Sequence, residues 1–462
     1  MMTTNLFQRL LVALCGVAAA AAVAHAGPDP DIPKNVREFD VAGIHVITRP
    51  SGPANHVIVA KLFIRGGTSV LPKDVSPIVE DLALDVAALS GPQGVDRAAY
   101  QRELQRMVTT IGPDGGRDFS TMTLRCVDET WNRSWELFTG CLVHPAFDEV
   151  ELRNAKERTL IALRNRLSNP ESYANYLADS AFYFGHPYGH IAFEADVPGI
   201  NANVLAAHFK HLFVKARLLL VVVGNIDSAD LVKKITSTIG TLPAGSFTPP
   251  VIPIPPNAKK QVLIVRPPIG GGRVVTNYIE ARYLAPNRTD SLYYPMMRLI
   301  SFVSGSLFRE VRIQRNLSYA PDADIQFEAS SHGEIGISTT LPDSAWKVAR
   351  SEVIDFFRDY VIDDKYIKGG LSSWVTSTSM REQTNESQAN ELGKAEIYTG
   401  SWENAFRTVE GISNITAEQM NLAAQRYLKN MTIVVVGDPA AVTSKVFLET
   451  KKKDDAGGDS AR

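Results

Sequence analysis

Leu218-Leu-Leu-Val-Val-Val-Gly224 and Met431-Thr-Ile-Val-Val-Val-Gly437 are the two stretches that decide the fold of this chain. Each is a short apolar run, rich in β-branched residues, that ends at a glycine, which is typical of a buried strand followed by a turn. An amphipathic helical pattern precedes each run, at 202–213 and at 416–429. Because the same order of elements occurs twice at a spacing of domain size, the sequence predicts two duplicated domains and not a solenoid.

A proline-rich segment, Phe247-Thr-Pro-Pro-Val-Ile-Pro-Ile-Pro-Pro256, separates the two halves. Proline removes backbone donors and favours extended conformations, so this segment is predicted to be a semi-rigid linker. We expect a first domain over 34–245, a linker over 246–260 and a second domain over 261–448. Strand-like and helical patterns are mixed in both halves and do not alternate strictly, which favours the α+β class.

The N-terminal segment of the chain predicts export. Arg9, the apolar run from Leu10 to Val23 and the Ala24-His25-Ala26 site make residues 1–26 a signal peptide cleaved near Ala26. After its removal no segment is long and apolar enough to span a membrane, so a periplasmic protein is expected.

The charged tail over 449–462 is predicted to be disordered. A net charge of −2 and a pI near 6.5 argue against a nucleic-acid partner.

Several motifs with little weight of their own occur in an order that resembles one family. They are Arg65-Gly-Gly-Thr68, Val143-His-Pro-Ala-Phe147, Gly185-His-Pro-Tyr-Gly189, the two Val-Val-Gly strand ends, and Leu307-Phe-Arg-Glu-Val-Arg312 with Leu317-Ser-Tyr319. The chain is similar to the pitrilysin/insulinase family of inverted-zincin peptidases, in the bacterial branch related to mitochondrial processing peptidase, over about residues 35–448. The resemblance implies two pitrilysin-type domains, each a mainly antiparallel sheet packed with helices, joined into a clamshell.

Active members of that family carry H-x-x-E-H on a helix, where two histidines four residues apart bind zinc and the glutamate acts as general base. In this sequence the motif should fall on Leu82-Ala83-Leu84-Asp85-Val86, so both histidine positions are aliphatic. The spacing of Val79, Leu82, Val86 and Leu89 makes one apolar stripe instead. Asp85 takes the position of the base, and the third-ligand position is judged to be Ala162. We therefore expect no metal and no cofactor in this chain.

Two histidines four residues apart, His186 and His190, imitate a zinc pair. Pro187 lies between them, and Gly185 and Gly189 mark a turn, so a structural loop is the preferred interpretation. An active peptidase with an unconventional metal site at this loop stays as a third hypothesis. Cys126 and Cys141 are interpreted as buried free thiols, with a disulfide between them left open.

Arg312 and Tyr319 are the retained part of the site, because the resemblance implies that an arginine and a tyrosine at this spacing bind substrate near the scissile bond. Guanidinium and phenol groups are donors suited to a carbonyl or a developing oxyanion. The resemblance implies a heterodimer whose other subunit is a homologous peptidase that carries the zinc, with unstructured peptides as substrates. The alternative is a stand-alone or homodimeric protein that binds peptides without proteolysis.

Overall fold

The first half forms a six-stranded sheet in a computed structural model that describes residues 33–256, 261–267, 275–381 and 383–448. Its strands are β1 (Arg37–Val41), β2 (Ile44–Arg49), β3 (Val57–Arg65), β4 (Thr110–Asp114), β5 (Phe119–Val127) and β6 (Leu218–Val223). They lie in the order β1-β2-β6-β3-β5-β4. All neighbours are antiparallel except β2 and β6, which run parallel.

The second half repeats this arrangement with five strands. These are β7 (Gln261–Val265), β8 (Asn277–Leu284), β9 (Asp322–Gln326), β10 (His332–Thr339) and β11 (Thr432–Val436). Their order is β7-β11-β8-β10-β9, and only β7 and β11 are parallel. The two Val-rich runs of the sequence are β6 and β11. Every residue of both strands is buried, as a strand covered on both faces requires.

The first half contains seven α-helices among the described residues. They are α1 (Ile78–Ser90), α2 (Arg97–Arg106), α3 (Trp131–Val143), α4 (Glu149–Ser168), α5 (Pro170–Phe182), α6 (Ala202–Leu212) and α7 (Ser228–Ser237). With the exception of α5, each contributes apolar residues to one core under the first sheet. Short polar caps start several of them: Asp148, for example, accepts from the backbone N–H groups of Val150 and Glu151 at the start of α4.

Most helices of the second half contribute to a separate core on its own sheet. They are α8 (Tyr293–Leu307), α9 (Pro342–Val348), α10 (Asp355–Asp359), α11 (Asp364–Lys368), α12 (Leu371–Arg381), α13 (Asn385–Thr399), α14 (Thr408–Ser413), α15 (Ala417–Tyr427) and α16 (Ser444–Leu448). A π-helical segment, Phe308–Ile313, continues α8 directly. A second one, Ala349–Ile354, joins α9 to α10.

The two halves exchange one helix each. Helix α5, from the first half, packs on β8 and β11 of the second sheet, while α13, from the second half, packs on β3 and β6 of the first sheet. Small residues permit the close approach: Ala174 and Ala178 of α5 contact Val434 and Val436. From Pro33 onward the described residues therefore form one compact unit.

Some predictions fall outside the described part of the chain. The predicted signal peptide (1–26) and the predicted disordered tail (449–462) both do so, as do four residues of the predicted linker, 257–260. Within the described ranges, no helix has the length and apolar character needed to cross a bilayer. Cys126 and Cys141 are free and buried, in agreement with the interpretation of the sequence.

Candidate functional site

Helix α1 holds the positions at which the resemblance predicted a lost zinc motif. Leu82 is 2% exposed and Val86 is fully buried, and both belong to the core under the first sheet. Aliphatic side chains carry no donor atom for a metal, and their burial gives them a packing role. Asp85 instead forms an ion pair with Arg158 of α4, with 2.8 Å between Oδ2 and NH2. This pair is partly exposed and therefore contributes little to stability.

Helix α4 carries the proposed third-ligand position. Ala162 is exposed, and its methyl group cannot bind a metal. Ala155, two helical turns earlier, is 1% exposed and lies in the same core as Leu82 and Val86. Over the described residues, no group of three or more His, Cys, Asp or Glu side chains is placed to hold a metal ion.

The π-helical segment after α8 positions Arg312. Val311 is fully buried and anchors the segment in the second core. Asn316 then adopts a left-handed conformation (φ 47°) that turns the chain back, and its backbone N–H donates to the Arg312 carbonyl at 2.9 Å. The Leu317 carbonyl accepts from Thr339 Oγ1 of β10 at 2.6 Å. The turn is thereby fixed to the sheet just before Tyr319.

Arg312 and Tyr319 contact each other directly. The guanidinium carbon lies 4.0 Å from the centre of the Tyr319 ring, and NH1 donates to the Tyr319 carbonyl oxygen. A cation held over an aromatic face is stabilised by the ring quadrupole. The tyrosine remains 78% exposed, so its hydroxyl is available to a ligand. Within the described ranges, no hydrogen bond, ion pair or ring contact joins this pair to the four degenerate ligand positions.

His186 has a structural role in its loop. Its Nδ1 accepts from the backbone N–H of Tyr188 at 3.1 Å, and its Nε2 lies 2.9 Å from the Pro253 carbonyl in the linker. Both ring nitrogens are thus engaged within the chain, and burial lowers the pKa of this histidine. These bonds tie the Gly-His-Pro-Tyr-Gly loop to the linker, which favours the structural interpretation over a metal site.

A half-buried polar network at the seam between the halves was not predicted from the sequence. Asp118, in the turn between β4 and β5, accepts from Tyr188 at 2.5 Å, from Tyr398 of α13 at 2.9 Å and from the Ala329 backbone N–H at 2.9 Å. Its neighbour Arg117 pairs with Asp179 at 2.9 Å and with Glu328 at 3.2 Å. The signal for this network was the Gly115-Gly116-Arg117-Asp118 turn itself, where two charged residues follow two glycines.

Charges in this network are strongly perturbed. Burial raises the pKa of Glu328 to about 7, although Arg117 opposes the shift. Burial likewise raises the pKa of Glu280 to about 7. It lowers the pKa of His332 to about 3, and the Nδ1 of this histidine lies 2.8 Å from the Tyr183 hydroxyl. Desolvation disfavours the charged form in each case.

Comparison with known proteins identifies the type of fold. Residues 199–374 match the protein-family model described as the peptidase M16 inactive domain. This segment runs from the end of the first half, through the linker, to Trp374 in α12. A search of curated proteins gives no match to the chain.

Solved structures with the same fold come from several bacteria. A peptidase M16 inactive domain from Pseudomonas fluorescens is 18% identical, with a TM-score of 0.78 over 87% of this chain and 97% of that one. A protease from Helicobacter pylori is 12% identical, with a TM-score of 0.74 over 87% of this chain and 99% of that one. The periplasmic protease PqqL from Escherichia coli is 15% identical, with a TM-score of 0.72 over 88% of this chain. This chain covers 46% of PqqL. These findings confirm the predicted α+β fold, and the match over residues 199–374 agrees with the resemblance to the pitrilysin family.

Proposed function

We propose that this M16-type chain, with its duplicated α+β fold and its match to an inactive domain, is a non-catalytic subunit of a heterodimeric zinc peptidase. In this proposal it pairs with a homologous subunit that carries the zinc and helps to bind the peptide substrate. The observation that carries the proposal is the contact between Arg312 and Tyr319. A half-buried arginine and an exposed tyrosine, both donors, lie in contact on a chain whose predicted ligand positions, Leu82 and Val86, are aliphatic.

The chemistry of helix α1 supports a subunit without its own metal chemistry. Leu82 and Val86 offer no lone pair, and Asp85 is held by Arg158 at 2.8 Å. A carboxylate in such a pair, with no Lewis acid beside it to acidify a water, is a poor general base at neutral pH. Hydrolysis would therefore depend on a second subunit that supplies the metal and the base.

The geometry of the second half supports peptide binding. The Arg312 guanidinium carries several N–H donors in a fixed plane, and the Tyr319 hydroxyl adds another. Both lie on a turn held by the second core, so little side-chain freedom would be lost when they bind a carbonyl oxygen. Ring and guanidinium are already in contact, which orders the pair before substrate arrives.

The comparison with PqqL supports the pairing. The match covers 46% of PqqL, so that protease is long enough for two units of this kind. The predicted signal peptide, together with the periplasmic description of PqqL, supports export of this chain to the periplasm. Identification of the mature N-terminus in a periplasmic extract tests the export, and a start at Gly27 is expected.

The decisive experiment isolates the complex from the native cell envelope and measures its peptidase activity. A homologous chain with H-x-x-E-H should co-purify in equal amount, and its activity on an unstructured peptide should need this chain. The Arg312→Gln and Tyr319→Ala variants should reduce that activity by about tenfold each, as expected for the loss of one charge-assisted or strong hydrogen bond.

Matched controls exist in the same half. Arg315 is held by Glu310 at 2.7 Å, and Tyr360 is exposed at 60%. Arg315→Gln and Tyr360→Ala should leave the activity unchanged while the complex still forms. A chain that purifies alone, and that binds unstructured peptides without a homologous partner, would instead support the stand-alone or homodimeric peptide-binding protein. Stoichiometric zinc on the purified chain would contradict both interpretations.

A further inference from the structure

A cavity at the seam lies outside the degenerate zinc motif and away from the Arg312 turn. It has a volume of about 290 Å³ and is bounded by the end of β3, the proline-rich linker and the end of α13. The linker supplies an apolar wall of Phe247, Pro249, Pro250 and Ile252. Mostly apolar walls with a few polar groups, located between domains, are typical of small-molecule sites. The volume suits a small ligand.

Arg65 lines this cavity from the first half. Within the described part of the chain its guanidinium has no hydrogen-bond or ion-pair partner, and its Nε is buried. Burial lowers the pKa of this arginine. The buried Nε is unfavourable without a partner because its hydration is lost, whereas the rest of this half-buried guanidinium still reaches water. The side chain is therefore suited to receive an anionic group from outside the chain.

Glu396 lines the same cavity from the second half. One carboxylate oxygen accepts from the Trp402 backbone N–H at 3.0 Å, and the other lies 3.7 Å from His45 Nε2. Its charge acts on Arg65, yet the two side chains do not approach within ion-pair distance. Two opposite charges thus line one cavity without forming an ion pair with each other. A ligand that carried only a negative charge would be repelled by Glu396.

Asp118 is the third charged residue in the wall and adds a second carboxylate. Asp118 is already satisfied by hydrogen bonds from Tyr188, Tyr398 and the Ala329 backbone. Arg217, which is 8% exposed, lies behind the Phe247 ring and adds positive potential on the side of Arg65. The cavity lining therefore combines one cation, Arg65, with the carboxylates of Glu396 and Asp118 and with the apolar linker residues.

We infer that this cavity binds a small zwitterion of the α-amino-acid type with an apolar side chain. The ligand carboxylate would accept from Arg65, its ammonium group would donate to Glu396, and its side chain would contact the linker prolines. A guanidinium and a carboxylate form two parallel hydrogen bonds with good geometry. Such a ligand would contact both halves and the linker, so its binding would also stabilise the packing between them.

The test is calorimetric titration of the full chain with L-leucine. Leucine should bind saturably and raise the midpoint of thermal unfolding. Two analogues of leucine test the two charges: N-acetyl-L-leucine lacks the ammonium charge, and L-leucinamide lacks the carboxylate. Each should bind at least about tenfold more weakly than leucine, since each loses one charge-assisted hydrogen bond. Equal binding of N-acetyl-L-leucine would overturn the zwitterion and indicate a plain anion site. Absence of leucine binding at millimolar concentration would overturn the inference altogether.

Variants separate this site from a general effect on the fold. Arg65→Met and Glu396→Gln should each weaken leucine binding by about tenfold. The glutamine keeps an oxygen to accept from Trp402, so the structure around α13 should persist. Arg153→Met, at an exposed arginine of α4, is the matched control and should leave binding unchanged. Unchanged leucine affinity in both site variants would contradict the assignment, whatever the outcome for the proposed peptidase complex.

Discussion

Arg282 on β8 donates from its Nε to Asp179 on α5 at 2.8 Å, so a buried ion pair joins the second sheet to a helix of the first half. The same guanidinium donates to Asn175 of α5 at 2.7 Å and to Glu280 at 3.1 Å. Arg282 is 2% exposed, and Arg117 holds the other oxygen of Asp179. The exchanged helix is thus fixed by small apolar contacts and by one satisfied network of charges.

Arg282→Met should destabilise the chain strongly, because Glu280 would remain buried without its cation and Asp179 would keep only Arg117. Removal of one partner from a buried pair costs about 3–5 kcal/mol. The measurement is the free energy of unfolding from urea titration at pH 7. Arg266→Met is the control, since Arg266 pairs with Asp438 at 3.4 Å on the surface and should cost under about 1 kcal/mol. Equal losses in the two variants would contradict a special role for the seam.

Glu328→Gln should alter the dependence of stability on pH. The pKa of Glu328 is raised to about 7 in the folded state, mainly by burial, while an unfolded glutamate titrates near 4.3. The folded state therefore binds more protons between these values, and the contribution of Glu328 to stability falls as pH rises from about 4.3 to about 7. The charge of Arg117 lowers this pKa, while the charges of Asp118 and Asp179 raise it.

The expected result is a variant that gains stability relative to the wild type as pH rises from 5 to 8, on the order of 1–3 kcal/mol. Unfolding titrations at each pH measure it. Glu310→Gln is the control, because hydrogen bonds from Arg309 and Arg315 lower the pKa of Glu310. Because its folded pKa lies below the unfolded value near 4.3, the stability difference between that variant and the wild type should stay constant from pH 5 to 8. If the difference in unfolding free energy between Glu328→Gln and the wild type did not change over this range, the pKa of the Glu328 carboxyl would not be raised.

His332→Asn should gain stability relative to the wild type as pH falls, whereas Glu328→Gln should gain it as pH rises. Burial lowers the folded pKa of His332 to about 3, while an unfolded histidine titrates near 6.5. The unfolded state then binds the extra proton, so stability is lost as pH falls below 6.5. Without this histidine the loss between pH 6.5 and 4 should shrink by roughly 2 kcal/mol. The Asp128-paired His56, whose pKa is raised, is the control, and His56→Asn should show no such protection.

Much of the fold was accessible from the sequence because its signals were local. The Val-rich strands were correctly predicted, and the apolar stripe on α1 has the burial that the spacing of Leu82 and Val86 predicts. Arg312 and Tyr319 also lie together. Their roles as a substrate-binding pair, and those of Leu82, Asp85, Val86 and Ala162 as former ligand positions, stay predictions.

The two exchanged helices, α5 and α13, were not predicted from the sequence. In α5 the buried positions are Ala174, Ala178 and Phe182, and in α13 small residues such as Gly393 meet the other half. Alanine and glycine give little hydrophobic periodicity, so a helix that packs through them lacks a strong apolar stripe. Their caps were the usable signal: Asn169 before Pro170 starts α5, and Gly400 ends α13 in a left-handed conformation. The seam network depends on contacts distant in sequence, which no local pattern reports.

Gly393→Ala tests whether the close approach of α13 to the first sheet matters. A Cβ atom at this position would lie 2.2 Å from two carbons of the Phe63 ring, closer than any real contact allows. Either the ring or the helix must shift, and overpacking of this kind costs about 1–3 kcal/mol. Gly305 of α8 is the matched control, because it is also helical and its Cβ would meet nothing within 4 Å. Gly305→Ala should stabilise the chain by about 0.5–1 kcal/mol, since alanine is the better helix former. Opposite signs for the two substitutions in urea unfolding are expected. A gain of stability in both would mean that α13 does not rest against Phe63 in solution, and that the helix exchange is looser than its small residues imply.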